Sequence, residues 1–272
     1  MRDAQEGRLV PWALITGASS GIGEQFCHLF AADGIDLAIT SLPRSAEHLH
    51  TVAQELRQRY SIAVEPISID LAAPEAAAAL RARVAQGAGS GAVSFLVNNA
   101  AVGIVGIPLQ HYDPTDLTRM LQLNVMTLAD LACVYAQEMV GRGSGRILNV
   151  SSVSGYVVPH GLECGYAASK AFVVSFSECL AQDLKGTGVS CTHLAPGPTR
   201  TNFFRTAGIT NERWLRHVYI EPAPVAHAGY KAMMAGKPAC IPGIGNKAMR
   251  LAATLAPSRT LTARASAMMI RR

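Results

Sequence analysis

A tyrosine and a lysine stand four residues apart in the segment Gly165–Phe172, which reads GYAASKAF. No Gly or Pro interrupts the fifteen residues after Tyr166, so a helix is predicted that carries Tyr166 and Lys170 on one face. A free phenol has a pKa of about 10, and a nearby ammonium lowers that pKa by favouring the phenolate. The pair could therefore act as a general acid and base, although the same spacing also occurs on ordinary helices.

A glycine-rich turn lies near the start of the chain, between a predicted strand and a predicted helix. It reads TGASSGIG over Thr16–Gly23, which is T-G-x-x-x-G-x-G and not the usual dinucleotide fingerprint G-x-G-x-x-G. Glycines allow close approach of the backbone, and a helix N-terminus offers unpaired N–H groups to a pyrophosphate. Turn chemistry alone is the alternative, but the position after the first strand favours binding. The predicted contacts are Gly17, Ser19, Ser20, Gly21, Ile22 and Gly23.

Segments with strand and helix patterns alternate for nearly 200 residues, and these elements must position the turn and the tyrosine. This alternation indicates a doubly wound parallel sheet with helices on both faces and ligands at the carboxyl ends of the strands. The predicted strands are 9–16, 35–40, 62–69, 93–98, 146–150 and 189–194. The predicted helices are 24–33, 46–60, 74–86, 114–140 and the one that bears Tyr166, and residues 222–242 supply a closing helix and strand.

Six motifs in this order resemble the short-chain dehydrogenase/reductase family, in its single-domain branch. They are the glycine turn, Asn98-Asn99-Ala100 after the fourth strand, Asn124, Ser151-Ser152, Tyr166-x-x-x-Lys170 and Pro196–Thr201. The resemblance covers about residues 10–240. It implies a Rossmann-type fold of about seven strands, a nicotinamide dinucleotide cofactor, and interconversion of a ketone or aldehyde with its alcohol.

The resemblance also implies roles for four catalytic residues. Tyr166 exchanges a proton with the substrate oxygen, and Ser152 donates a hydrogen bond to that oxygen. Lys170 lowers the pKa of Tyr166 and holds the ribose hydroxyls, while Asn124 positions a water beside Lys170. Ser151 is the alternative serine, because the spacing from Ser152 to Tyr166 is one residue longer than expected.

A second departure from the family pattern is Ala101, which replaces the last glycine of N-N-A-G. This alanine would be strained if the position required a positive φ.

The cofactor preference depends on the residues after the second strand. NAD enzymes place an acid there, whereas an Arg accommodates the 2′-phosphate of NADP. Thr40–Arg44 contains Ser41 and Arg44 and no acid, which favours NADP(H) over NAD(H), although Arg44 could also be a solvated residue at a helix start. Asp70 is expected at the adenine, or else as a helix cap. The remaining predicted cofactor contacts are Leu71, Asn99, Ala100, Tyr166, Lys170, Pro196, Gly197, Thr199 and Thr201.

Composition limits the remaining classes of function. The net charge of +5 is concentrated at the C-terminus, because residues 222–272 contain eight Lys and Arg and no acid, so the remainder is net negative and a nucleic-acid partner is not expected. The six cysteines form no C-x-x-C pair, which argues against a disulfide framework and a zinc site. With neither a signal peptide nor an apolar span of 18 residues evident, we expect a cytoplasmic protein.

The end of the chain carries two further expectations. Residues 200–220 are irregular and aromatic, which predicts a lid over a largely apolar substrate, with oligomer packing as the alternative. The basic extension 243–272 is predicted to be an amphipathic helix pair, and a solvated cover is favoured over peripheral contact with an anionic membrane.

We expect a single domain over 1–272 and a homodimer or homotetramer. The rival functions are a dinucleotide-binding regulator without turnover and an epimerase or dehydratase on the same fold.

Overall fold

A seven-stranded parallel sheet occupies the centre of the computed structural model, which describes residues 11–88, 91–157, 163–207, 219–256 and 258. The strand order is β3-β2-β1-β4-β5-β6-β7, so the order reverses between β1 and β4. This confirms the predicted doubly wound sheet and puts a ligand crevice at the carboxyl ends of those two strands. The strands are β1 (Pro11–Ile15), β2 (Asp36–Ser41), β3 (Val64–Ser68), β4 (Ala92–Asn98), β5 (Gly145–Val150), β6 (Val189–Leu194) and β7 (Ala239–Cys240).

Helices cover both faces of this sheet. Those described are α1 (Gly21–Ala32), α2 (Ala46–Tyr60), α3 (Ala76–Gly87), α4 (Pro114–Leu121), α5 (Leu128–Gly141), α6 (Cys164–Asp183), α7 (Phe203–Thr206), α8 (Pro222–Met234) and α9 (Ile244–Leu255).

Alternation along β1 shows how the two cores form. Ala13 and Ile15 point to one side of the sheet, into the core built with α1, α2 and α8, whereas Trp12 and Leu14 point to the other side, into the core built with α3, α5 and α6. Because successive strand residues face opposite ways, a parallel sheet buried on both faces needs apolar residues at nearly every position. The rigid carboxyl edge of the sheet follows from this double burial.

The predicted helix 114–140 is helical throughout, but it changes type along its length. It divides into α4, a π-helical segment Gln122–Thr127 and α5, because the Asn124 side chain bonds to the backbone of the neighbouring loop within the widened turn. Two predicted helix starts also move. Helix α1 begins at Gly21, three residues before the predicted start, and α3 begins two residues late because Glu75 has a φ of 57°.

The C-terminal region agrees in part with its predictions. Helix α8 and β7 lie within 222–242 as predicted, and α9 is the first helix of the predicted pair. Residues 259–272, and with them the second helix, lie outside the described residues. No helix in the described part of the chain is both long and apolar enough to cross a membrane.

Candidate active site

The end of β1 is tied to the end of β4 by two side chains. The Thr16 hydroxyl oxygen accepts hydrogen bonds from the backbone N–H groups of Asn99 and Ala100, each at 3.0 Å. The Asn99 amide in turn donates to the carbonyl oxygens of Thr16 and Gly17, at 2.9 and 3.1 Å. The glycine turn is therefore held against the loop after β4, at the point where the strand order reverses.

Three glycines make this junction sterically feasible. Gly17 has a φ of 68°, and a Cβ there would lie 2.9 Å from the Ala100 Cα. A Cβ on Gly23 would lie 2.2 Å from the Gly17 carbonyl oxygen, and one on Gly21 would lie 2.7 Å from the Thr201 methyl group. The glycines thus let the turn and the start of α1 pack closely against their neighbours, and a helix N-terminus at such a turn fits the pyrophosphate of a dinucleotide.

The loop after β5 separates the roles of two adjacent serines. The Ser151 hydroxyl is buried and donates to the Lys170 carbonyl oxygen at 2.8 Å, so it fastens β5 to α6. The Ser152 oxygen accepts from the Ser154 N–H at 3.2 Å and lies at the cavity beside Tyr166. This geometry favours Ser152 over Ser151 as the serine that meets a substrate.

Tyr166 and Lys170 lie on the same face of α6, and both are buried. The Lys170 ammonium donates to the Val150 carbonyl oxygen at 2.9 Å and is 5.8 Å from the centroid of the Tyr166 ring. Burial lowers the pKa of Lys170 to about 7. Burial also raises the pKa of Tyr166 above its ordinary value, and a hydrogen bond with Ser152 only partly opposes this increase.

The expected lowering of the Tyr166 pKa by Lys170 is therefore not found in this geometry. Desolvation of the phenolate is the largest cause of the raised pKa, and the charge of Glu163 adds to it.

Asn124 lies beneath the site and not in its wall. Its amide N–H donates to the Val102 carbonyl oxygen at 2.8 Å and to the Ser169 hydroxyl at 3.1 Å, and its side-chain oxygen accepts from the Val102 N–H at 3.0 Å. Asn124 thus joins the π-helical segment to the loop after β4 and to α6.

The edge of the site at β2 carries positive charge. Arg44 is exposed in the turn after β2, and Ser41 turns its hydroxyl back to the carbonyl oxygens of Leu42 and Ser45. Asp70 accepts a hydrogen bond from Arg119 at 2.8 Å. Burial alone would raise the pKa of Asp70, but its bonds to Arg119 and the Ala72 N–H, together with the charges of Arg119 and Arg44, hold it below the ordinary value. Sequence reasoning missed Arg119, because nothing in α4 points to Asp70.

A single cavity of about 810 Å³ connects these features. Among the predicted site residues, Gly21, Gly23 and Asn124 do not line it. The predicted residues that do are Gly17, Ser19, Ser20, Ile22, Ser41, Arg44, Asp70, Leu71, Asn99, Ala100, Ser152, Tyr166, Lys170, Pro196, Gly197, Thr199 and Thr201. The described residues contain no group of three metal-ligating side chains that could hold a metal ion.

Beyond Tyr166, the cavity is lined by Phe203 and Phe204 together with polar and charged side chains, among them Glu163 and Arg205. The Phe203 ring lies 5.1 Å from the Tyr166 ring between centroids. Glu163 also lines the cavity, accepts from the Ser154 hydroxyl at 3.3 Å, and has a pKa raised by burial. At the two ends of the predicted lid 200–220, Thr199 and Ile220 form a parallel bridge. Residues 208–218 of that lid lie outside the described residues.

Ala101 is not strained. Among the described residues other than glycine, only Ser61 and Glu75 have positive φ. The alanine in place of the family glycine therefore leaves the backbone after β4 in an ordinary conformation.

A family model described as short chain dehydrogenase matches residues 11–212. The chain belongs to the short-chain dehydrogenase/reductase family. Members related to it include the sulfoacetaldehyde reductase of Chromohalobacter salexigens, which is 37% identical over 197 residues that cover 71% of this chain and 75% of that protein. Some curated relatives are longer, and the aligned part covers 32% of their length.

Solved structures of short-chain dehydrogenases share the fold. One from Sphingobium yanoikuyae in complex with NADPH has a TM-score of 0.77 and 31% identity, covering 86% of this chain and 88% of that one. Another from Burkholderia phymatum in complex with NAD has a TM-score of 0.79 and 26% identity, covering 89% and 92%. The chain is therefore a short-chain dehydrogenase/reductase, an oxidoreductase that acts on alcohol or carbonyl groups.

Replacing Gly23 by alanine tests the junction at the glycine turn. The new Cβ would meet the Gly17 carbonyl oxygen, a backbone atom, so we expect a loss of about 1–3 kcal/mol in the free energy of unfolding, together with weaker dinucleotide binding. Urea denaturation and fluorescence titration with NADPH measure the two effects. Gly141→Ala is the matched control, because a Cβ there meets nothing within 4 Å. Equal stability of the two variants would contradict the steric argument.

Proposed function

We propose that the chain is an NADP(H)-preferring oxidoreductase that interconverts a ketone or aldehyde and its alcohol by hydride transfer, with Tyr166 as the general acid and base. The observation that carries the proposal is one cavity that runs from the glycine turn and Arg44 to Ser152, Tyr166 and Lys170. A dinucleotide and a small substrate would share this cavity, with the reacting carbon beside the Tyr166 hydroxyl.

In the direction of reduction, Tyr166 donates its phenol proton to the carbonyl oxygen of the substrate. Ser152, which already forms a hydrogen bond with Tyr166, donates to the same oxygen and holds it in position. The bound nicotinamide supplies the hydride that this chemistry requires. The raised pKa of Tyr166 keeps the phenol protonated at neutral pH, which suits a proton donor.

Lys170 and Asn124 assist Tyr166 by binding the cofactor and by positioning α6. The fixed ammonium of Lys170 would hold the ribose hydroxyls of the cofactor. Asn124 would act as a positioning residue through its bonds to Val102 and Ser169, which keep α6 in register with the loop after β4. Its predicted contact with a water beside Lys170 remains part of the proposal.

Preference for NADP(H) rests on charge at the β2 edge. The end of β2 carries Ser41 and no acid, and the exposed Arg44 lines the cavity near Asp70. Asp70 is already neutralised by Arg119, so it does not repel a phosphate strongly. An arginine there is suited to the 2′-phosphate of NADP.

The substrate is proposed to be largely apolar at the reacting end. Phe203 and Phe204, which belong to the predicted lid 200–220, line the cavity with Tyr166. Glu163 disfavours an anionic group next to the reacting carbon, because a half-buried carboxylate repels another.

We also propose that the enzyme is cytoplasmic, that it forms a homodimer or homotetramer, and that residues 1–272 form a single domain.

Tyr166→Phe tests the catalytic role. We expect turnover to fall at least about 10²–10⁴-fold because the proton donor is lost, while affinity for NADPH stays nearly unchanged. Loss of nicotinamide absorbance with a panel of ketones and aldehydes measures turnover, and fluorescence titration measures binding.

The two serines provide matched controls for this experiment. Ser152→Ala should reduce turnover without a large loss of stability, whereas Ser151→Ala should mainly reduce stability by removing the bond to the Lys170 carbonyl oxygen. A Tyr166→Phe enzyme that keeps most of its rate would refute the proposed mechanism.

Arg44→Ala tests the cofactor preference. Loss of a charge-assisted bond to the 2′-phosphate should weaken NADPH binding by about 10- to 100-fold and leave NADH binding almost unchanged. Arg44→Lys keeps the charge but not the planar fork, so its affinity for NADPH should lie between those of the wild type and Arg44→Ala. Fluorescence titrations with NADPH and with NADH measure the two affinities. Equal losses for NADPH and NADH would show that Arg44 does not recognise the 2′-phosphate.

The pH dependence should differ between the two directions of the reaction. Because the pKa of Tyr166 is raised, the phenol needed for reduction predominates at neutral pH, and the phenolate needed for oxidation becomes more abundant as pH rises. We expect kcat/KM for alcohol oxidation to increase severalfold or more between about pH 6 and about pH 9, while kcat/KM for reduction does not increase. Steady-state rates in both directions provide the measurement. Oxidation that is independent of pH over this range would contradict the raised pKa.

A further inference from the structure

The face of α9 that points away from the molecule is apolar. Ile244, Leu251 and Leu255 are 88%, 60% and 71% exposed. At 3.6 residues per turn these three residues fall within an arc of about 40°, and the exposed Ala248 lies beside them. We call these four residues the outer face of α9. A surface helix normally turns its apolar stripe inward, so this helix has the opposite orientation.

Contacts on the inner side fix this orientation. Asn246, Arg250 and Ala253 are half-buried on the opposite side of the helix. The Asn246 amide donates to the Pro242 carbonyl oxygen at 2.6 Å and packs on Gly197, where a Cβ would lie 2.6 Å from it. The Arg250 guanidinium lies 5.4 Å from the centroid of the Tyr156 ring. Rotating α9 to bury its outer face would break these polar contacts.

The charge around this face is positive. Residues 222–272 contain eight Lys and Arg and no Asp or Glu. Lys247 is exposed next to the outer face. Burial raises the pKa of the Cys240 thiol, and the charges of Lys247 and Lys237 both oppose this rise, so both lysine charges act at the end of β7, just before α9. Apolar side chains flanked by cations suit an anionic lipid surface, where the apolar groups enter the interface and the cations meet the headgroups.

We propose that the outer face of α9 binds the surface of an anionic lipid bilayer and holds the enzyme there as a peripheral protein. The fixed outward orientation reverses the preference for a solvated cover that composition alone suggested. Two other occupants are disfavoured by charge. The chain after α9 carries four arginines and no acid, and α9 of a second copy is equally basic, so either would bring like charges together.

Flotation of the full chain with lipid vesicles tests this proposal. One set of vesicles is phosphatidylcholine alone, and the other is an equal mixture of phosphatidylcholine and phosphatidylglycerol. We expect binding at least about tenfold stronger to the anionic set, with most of the difference lost at high salt. Leu251→Gln with Leu255→Gln should abolish flotation, and Lys237→Gln with Lys247→Gln should remove the preference for anionic vesicles.

Matched variants separate this effect from a general loss of apolar surface. Leu109→Gln with Val140→Gln replaces two side chains that are 48% and 41% exposed on other elements, and it should float like the wild type. Circular dichroism and ketone reduction without vesicles should be unchanged in all variants, because none of these residues lines the cavity.

Three results would overturn the proposal. The first is equal binding to neutral and anionic vesicles, and the second is an equal loss of binding in the control variant. The third is the absence of flotation. In that case, if light scattering finds an oligomer that Leu251→Gln with Leu255→Gln dissociates, the occupant is a second copy, and if it finds no such change, the occupant is the remainder of the chain.

Discussion

The close contact between the glycine turn and the end of β4 is the constraint on which the rest of the site depends. Thr16 and Asn99 exchange four hydrogen bonds across the crevice with backbone groups of the other loop. Those bonds are feasible only because Gly17 and Gly23 leave room for the opposing backbone. A crevice that opens where the strand order reverses is a general property of doubly wound sheets, and here side chains fix its width.

Burial is the second constraint on the site, because it shifts the pKa values of the two reacting groups in opposite directions. The same desolvation that lowers the pKa of Lys170 raises that of Tyr166, so both groups move toward their neutral forms. A neutral phenol beside an amine that is only partly protonated near neutral pH costs less to bury than a full ion pair would. The bond from Lys170 to the Val150 carbonyl oxygen then fixes the amine by hydrogen bonding and not by charge.

Much of the fold could be predicted because its signals are local. Apolar runs gave the strands, the spacing in α6 put Tyr166 and Lys170 on one face, and the glycine turn marked the start of α1. Other features depend on partners that are distant in sequence. The π-helical segment exists because Asn124 reaches Val102, and Arg119 pairs with Asp70 across 49 residues.

The raised pKa of Tyr166 likewise depends on tertiary structure. The spacing of Tyr166 and Lys170 predicts that their charges interact, but it contains no information about how deeply α6 is buried. The orientation of α9 was equally inaccessible, since an amphipathic pattern does not show which face meets the protein.

The bridge between Thr199 and Ile220 closes the base of the segment that follows β6. The Arg200 N–H donates to the Ile220 carbonyl oxygen and the Ile220 N–H donates to the Pro198 carbonyl oxygen, so both ends of the segment are fastened beside the sheet. Insertions, deletions or replacements between these two anchor points need not propagate into β6 or α8. Changes in this segment would reach the site through its own contacts instead, because Phe203 packs on Tyr166 and the Ala207 carbonyl oxygen accepts a hydrogen bond from the Val105 N–H in the loop after β4.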